Sequence, residues 1–81
     1  MRIRVLFFAL LRDRAGVAQS TLELSEGATV AEAAQKLGKK FPAIGSYLPR
    51  VAFAVNQSYV PKETRLSDGD ELAVIPPVSG G

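Results

Sequence analysis

Neither cysteine nor histidine occurs among the 81 residues of this chain. Without cysteine there is no disulfide framework and no thiol nucleophile, and without histidine there is no imidazole acid or base. Zinc sites and the Ser-His and Cys-His nucleophile pairs need residue types the chain does not contain. Any catalysis it takes part in must draw its chemistry from a partner. Charge of one sign is scarce too: ten Lys and Arg stand against eight Asp and Glu, a net charge of +2. These charges are interleaved and form no run, which makes nucleic acid a poor partner. No apolar run is long enough to span a membrane, and repeats, linkers and low-complexity stretches are missing as well. At 47% hydrophobic content, a chain this short closes one small core, which suits a scaffold better than a deep pocket.

Hydrophobic period then places the elements. Arg2 to Phe8 alternates as a strand, with Ile3, Val5 and Phe7 on one face and Arg2, Arg4, Leu6 and Phe8 on the other. The basic start Met1 to Arg4 followed by apolar Val5 to Leu11 resembles a short targeting signal, but cleavage there would remove the best strand of a small domain. The chain is therefore read as soluble and cytoplasmic. Leu10 to Ala15 is a helical turn stopped by Gly16, and Gln19 to Leu24 a second strand that closes a hairpin with an enlarged connection. Thr29 and Glu32 form a capping box, followed by the helical stripe Val30, Ala33, Ala34, Leu37 and Phe41, which Pro42 ends. Ala43 to Arg50 reads as irregular and Val51 to Val55 as a strand. Asn56-Gln57-Ser58 reads as a turn into Tyr59 and Val60, and Pro61 to Arg65 as a loop. Ser67-Asp68-Gly69-Asp70 is a compact turn before a last strand, Glu71 to Ile75, with Asp68 and Asp70 as turn formers and no metal site expected. Asn56 is expected to be structural, and Arg12, Arg14, Lys39 and Lys40 to form a solvated face. One amphipathic helix among these strands predicts an α+β fold, a mixed sheet covered on one side only.

The uncovered side has consequences. Alternation places Leu6, Phe8, Ala52, Ala54, Ala73 and Ile75 there, an apolar patch bordered by Arg2, Arg4 and Glu71 of the kind that marks a protein interface. The alternative is that residues 43–50 fold over this face, and the exposure of Phe8 and Ile75 separates the two.

The ending Pro76-Pro77-Val78-Ser79-Gly80-Gly81 is the feature best suited to chemistry. Glycines 80 and 81 lack Cβ atoms, so they thread a slot too narrow for side chains and leave the terminal carbonyl reachable. The prolines pre-extend the segment, which spans roughly 18 to 20 Å at polyproline rise. A stiff stalk with a slender tip suits delivery into another protein's pocket.

Val5-Leu6-Phe7-Phe8-Ala9, Ala54-Val55-Asn56-Gln57, Leu66-Ser67-Asp68-Gly69-Asp70-Glu71 and above all Pro76-Pro77-Val78-Ser79-Gly80-Gly81 carry a resemblance over essentially the whole chain. It resembles the small, sulfur-carrying subunit of molybdopterin synthase, within the ubiquitin-like β-grasp proteins. Ile75 stands where that family often places a large ring. The resemblance implies a β-grasp domain over residues 1–75 and an extended diglycine tail over 76–81. It also implies a carrier without catalytic side chains of its own and without a tightly bound cofactor.

In the implied cycle an E1-like enzyme uses Mg-ATP to adenylate the Gly81 carboxylate, and a persulfide-type sulfur donor converts it to a thiocarboxylate. The large synthase subunit then admits the tail and passes the sulfur to cyclic pyranopterin monophosphate for the molybdenum cofactor. Two carriers on a dimer of large subunits are implied, a heterotetramer. Gly81 and Gly80 would be the chemical residues, and Pro76, Pro77, Val78 and Ser79 would position them beside the contacts Leu6, Phe8 and Ile75. The alternatives are a carrier that sends sulfur to thiamine or tRNA, a ubiquitin-like modifier conjugated through Gly81, and a structural subunit with an inert tail.

Overall fold

The structure, a computed structural model, describes residues 1–77. The strands are β1 (Arg2–Phe7), β2 (Gln19–Glu23), β3 (Ala52–Val55), β4 (Ser58–Val60) and β5 (Glu71–Ile75), with helices α1 (Ala9–Ala15) and α2 (Val30–Lys40). They form one sheet of order β2-β1-β5-β3-β4. β1 runs parallel to β5 and antiparallel to β2, and β3 is antiparallel to both β5 and β4. This is the mixed sheet the sequence predicts.

One face of the sheet builds the core. Ile3, Val5 and Phe7 of β1, Leu72 and Val74 of β5 and Phe53 of β3 are all buried, facing Val30, Ala33 and Leu37 of α2. The α2 stripe matches the helical period, and its start is fixed by Thr29, whose Oγ1 accepts from the Glu32 backbone N–H at 3.3 Å. The helix stops at Lys40. Phe41 lies beyond it and stacks edge-on against Phe7, ring centres 5.2 Å apart. Gly16 ends α1 in the left-handed region at φ 82°, where any side chain is strained.

Two expectations need correction. The stretch after Pro42 is not irregular: Pro42–Ile44 and Leu48–Arg50 are single 3₁₀ turns, with proline first in one and second in the other. The first packs against α1 and α2, Leu48 of the second lies beside Gly38 of α2, and the two bury Ile44 and Leu48, so they close the helix side and leave the other sheet face uncovered. Ser58 is not a turn residue either. Of these three residues Asn56 and Gln57 take positive φ, 49° and 72°, and they form a two-residue hairpin loop that pairs Val55 with Ser58.

Candidate functional site

β5 carries the chain toward the tail, and five hydrogen bonds fix where that strand lies. In the Ser67 to Asp70 turn, Gly69 at φ 84° donates its N–H to the Arg2 carbonyl at 2.8 Å. The Arg2 N–H donates to Asp68 Oδ1 at 2.8 Å. Asp70 closes the turn by accepting from the Ser67 N–H at 2.7 Å. From the other side Asn56 Nδ2 donates to Asp70 Oδ1 at 3.0 Å, and Asn56 Oδ1 accepts from the Glu71 N–H at 3.1 Å. The acids of this turn and Asn56 are therefore structural, as expected. Together they clamp the start of β5 between β1 and the β3–β4 hairpin and set its register.

That register assembles the open face in rows. One row crosses the whole sheet as Gln19, Leu6, Ala73, Ala54 and Tyr59, each opposite the next. Ile75 lies opposite Ala52 in the next row, and Phe8 follows directly after β1. The structure thus brings together all six residues expected on this face, but their exposures differ. Phe8 is 45% exposed, whereas Leu6, Ala52 and Ile75 are half-buried and Ala54 and Ala73 are buried. The expectation of a uniformly exposed patch is corrected to a shallow trough. Alanines make its floor because neighbouring larger side chains shade a methyl group from solvent. Leu6, Phe8, Tyr59 and Ile75 stand around that floor, in a depression of about 380 Å³.

Tyr59, 72% exposed, belongs to this face and is missing from the sequence-based set. The signal was present: a two-residue loop at Asn56-Gln57 forces Tyr59 opposite Ala54. With Phe8 it supplies large rings to a face whose final strand offers Ile75.

The charged border is paired. Arg4 Nη2 meets Glu71 Oε2 at 2.9 Å, and Arg2 Nε meets Glu23 Oε1 at 2.6 Å. The Glu23 hydrogen bond, then its charge, hold the Arg2 guanidinium above its ordinary pKa. Both pairs are solvent-facing and mark the rim more than they add stability.

At the end of β5, Pro76 is half-buried and Pro77 exposed. Val78, Ser79, Gly80 and Gly81 lie outside the described residues. Among the described residues no group of three or more acidic side chains is placed to hold a metal ion, and no helix is long and apolar enough to cross a membrane.

A five-stranded mixed sheet of this order gripping one main helix is the ubiquitin-like β-grasp architecture, here with an open apolar face beside the strand that leads to a diglycine end. The ThiS family matches residues 5–81, and the chain belongs to that family. It is 43% identical to the molybdopterin synthase sulfur carrier subunit of Chlamydomonas reinhardtii, over the full length of both chains. Among solved structures it resembles SAMP1 from Haloferax volcanii, at TM-score 0.91 and 28% identity over all of both chains. It also resembles a chain in the complex of subunits 1 and 2 of the molybdopterin-converting factor from Helicobacter pylori, at TM-score 0.74 and 26% identity, again over all of both chains.

Proposed function

We infer that this chain is the sulfur-carrier subunit of a molybdopterin synthase. The observation that carries the reading is the end-to-end match to a curated carrier of that name, on a fold whose open face adjoins the tail-bearing strand. A C-terminal carboxylate is ionised at neutral pH and is a poor electrophile. An E1-like enzyme therefore joins the Gly81 carboxylate to the AMP moiety of Mg-ATP and releases pyrophosphate. The terminal sulfur of a persulfide donor attacks the acyl carbon and AMP leaves, giving an acyl disulfide; a second thiol on the donor protein then attacks the donor sulfur, so that the donor pair ends as a disulfide and Gly81 as a thiocarboxylate. With no cysteine in the chain, the terminus is the place where sulfur is held covalently.

The large synthase subunit then docks on the trough bounded by Leu6, Phe8, Tyr59 and Ile75. It admits Pro76, Pro77, Val78, Ser79, Gly80 and Gly81, and the sulfur passes to cyclic pyranopterin monophosphate. The complex of two subunits from Helicobacter pylori supports a large-subunit partner. One carrier serves each active site of a dimeric large subunit, giving a heterotetramer. The carrier itself contributes no catalytic side chain and binds no cofactor tightly.

Deleting Gly81 tests this reading. The truncated chain is expected to keep its melting temperature, since a terminal residue adds little to stability, and to lose all support for molybdopterin formation in a reconstituted synthase. Retained activity would overturn it.

A second reading has its own support in the likeness to SAMP1, a protein also described as a small archaeal modifier. Conjugation through Gly81 would give higher-mass species containing this chain linked to target lysines. The carrier reading expects none during growth with ample sulfur.

A further inference from the structure

The sheet has two outer strands, and they are protected in different ways. β4 is only three residues long and is followed by Pro61, so it offers little to an incoming strand. β2 is five residues long and contains no proline. Its ladder with β1 shows which backbone groups are engaged: the Phe7 N–H donates to Ala18 O at 2.9 Å, and the Leu24 N–H donates to Met1 O at 2.8 Å. Even-numbered residues of this segment therefore face β1, and the N–H and C=O groups of Gln19, Thr21 and Glu23 face outward.

The outward carbonyls of Thr21 and Glu23 are not left open. Lys40 Nζ donates to Thr21 O at 3.0 Å, and Lys36 Nζ donates to Glu23 O at 2.5 Å. The two lysines lie four residues apart on α2 and so descend from the same side of that helix. They place ammonium groups on consecutive acceptors that an added strand would need.

Without them the edge is self-complementary. An antiparallel second copy about a two-fold axis through Thr21 pairs Thr21 with Thr21 and Gln19 with Glu23. All outward groups find partners and no like charges oppose. We propose that Lys36 and Lys40 guard the β2 edge against a second copy of this chain, and that removing their charge turns the edge into a homodimer interface formed by strand addition. The proposal is independent of the sulfur-carrier reading.

The test compares wild type, K36M/K40M and K36R/K40R by sedimentation velocity over a concentration series, with amide exchange at Thr21 and Glu23. Methionine keeps the apolar stem and removes the donor; arginine keeps the donor. The methionine variant is expected to dimerise at least about ten-fold more tightly than wild type, with slowed exchange at Thr21 and Glu23. The arginine variant is expected to stay monomeric. Adding T21P, which deletes an outward N–H without touching the β1 ladder, is expected to restore the monomer.

A folded methionine variant no more dimeric than wild type would overturn the proposal. So would an arginine variant that dimerises equally, or a dimer with no protection at Thr21 and Glu23. If K36M/K40M does not fold, as read by circular dichroism, K36A/K40A, which likewise has no side-chain donor, carries the same expectations.

Discussion

Asn56 combines a side-chain clamp with an unfavourable backbone, and two substitutions separate the contributions. Its amide bonds Asp70 Oδ1 at 3.0 Å and the Glu71 N–H at 3.1 Å, while its φ of 49° is left-handed. Asn56→Gly removes both bonds but suits the backbone. A hydrogen bond to a neutral partner contributes about 0.5–1.5 kcal/mol and one to a charged partner more; exposure of both here keeps the sum near 1–2 kcal/mol. Asn56→Ala removes the same bonds and puts a Cβ into the left-handed region, for about 1 kcal/mol more after the larger unfolded-state entropy of glycine is counted. The order of stability is therefore wild type, then glycine, then alanine, with totals of about 1–2 and 2–3 kcal/mol lost. Urea unfolding resolves these differences, and each kcal/mol corresponds to about 4–8 °C in melting temperature for a domain of this size. Equal stability of the two variants would refute the backbone part of the reasoning. A glycine variant as stable as wild type would refute the clamp.

Ala9 also sits at positive φ, 49°, so Ala9→Gly is expected to leave stability unchanged or raise it by up to about 1 kcal/mol, where the same change inside a helix costs about that much; urea unfolding reads the sign. Phe8→Ala, at a ring 45% exposed, is expected to weaken binding of the large subunit by about 10-fold or more. The melting temperature should move little, and unchanged affinity by titration calorimetry would remove Phe8 from the interface. Leu37→Ala empties a fully buried core position and is expected to cost about 2–5 kcal/mol by urea unfolding.

Local pattern made most of the fold legible. The alternation of Arg2 to Phe8, the Thr29 and Glu32 capping box and the glycine-containing turn at residues 67–70 each carry a short-range physical signal, and each element stands where that signal puts it. Two kinds of feature were not legible. The 3₁₀ turns after Pro42 are too short to show a period, so they read as irregular chain. The insertion of β5 between β1 and β3 is a non-local pairing, set by the Asp68 and Asn56 contacts to distant backbone and by the Asn56 amide on Asp70, and no window of sequence contains it. The candidate face was found because side chains alternate strictly along a strand. Its trough shape was not, because burial of Ala54 and Ala73 depends on Leu6 and Tyr59 arriving from other strands. Tyr59 was missed by assigning Ser58 to the turn, a one-residue error that breaks the register across the hairpin.

The proposed function requires that Gly81 carry sulfur. The chain is incubated with an active extract, Mg-ATP and a sulfur source, and its intact mass is measured with fragmentation of the C-terminus. Replacement of one oxygen by sulfur, localised to Gly81 and dependent on ATP, is the expected result. An unmodified terminus, in an extract that demonstrably charges a known carrier, would contradict it.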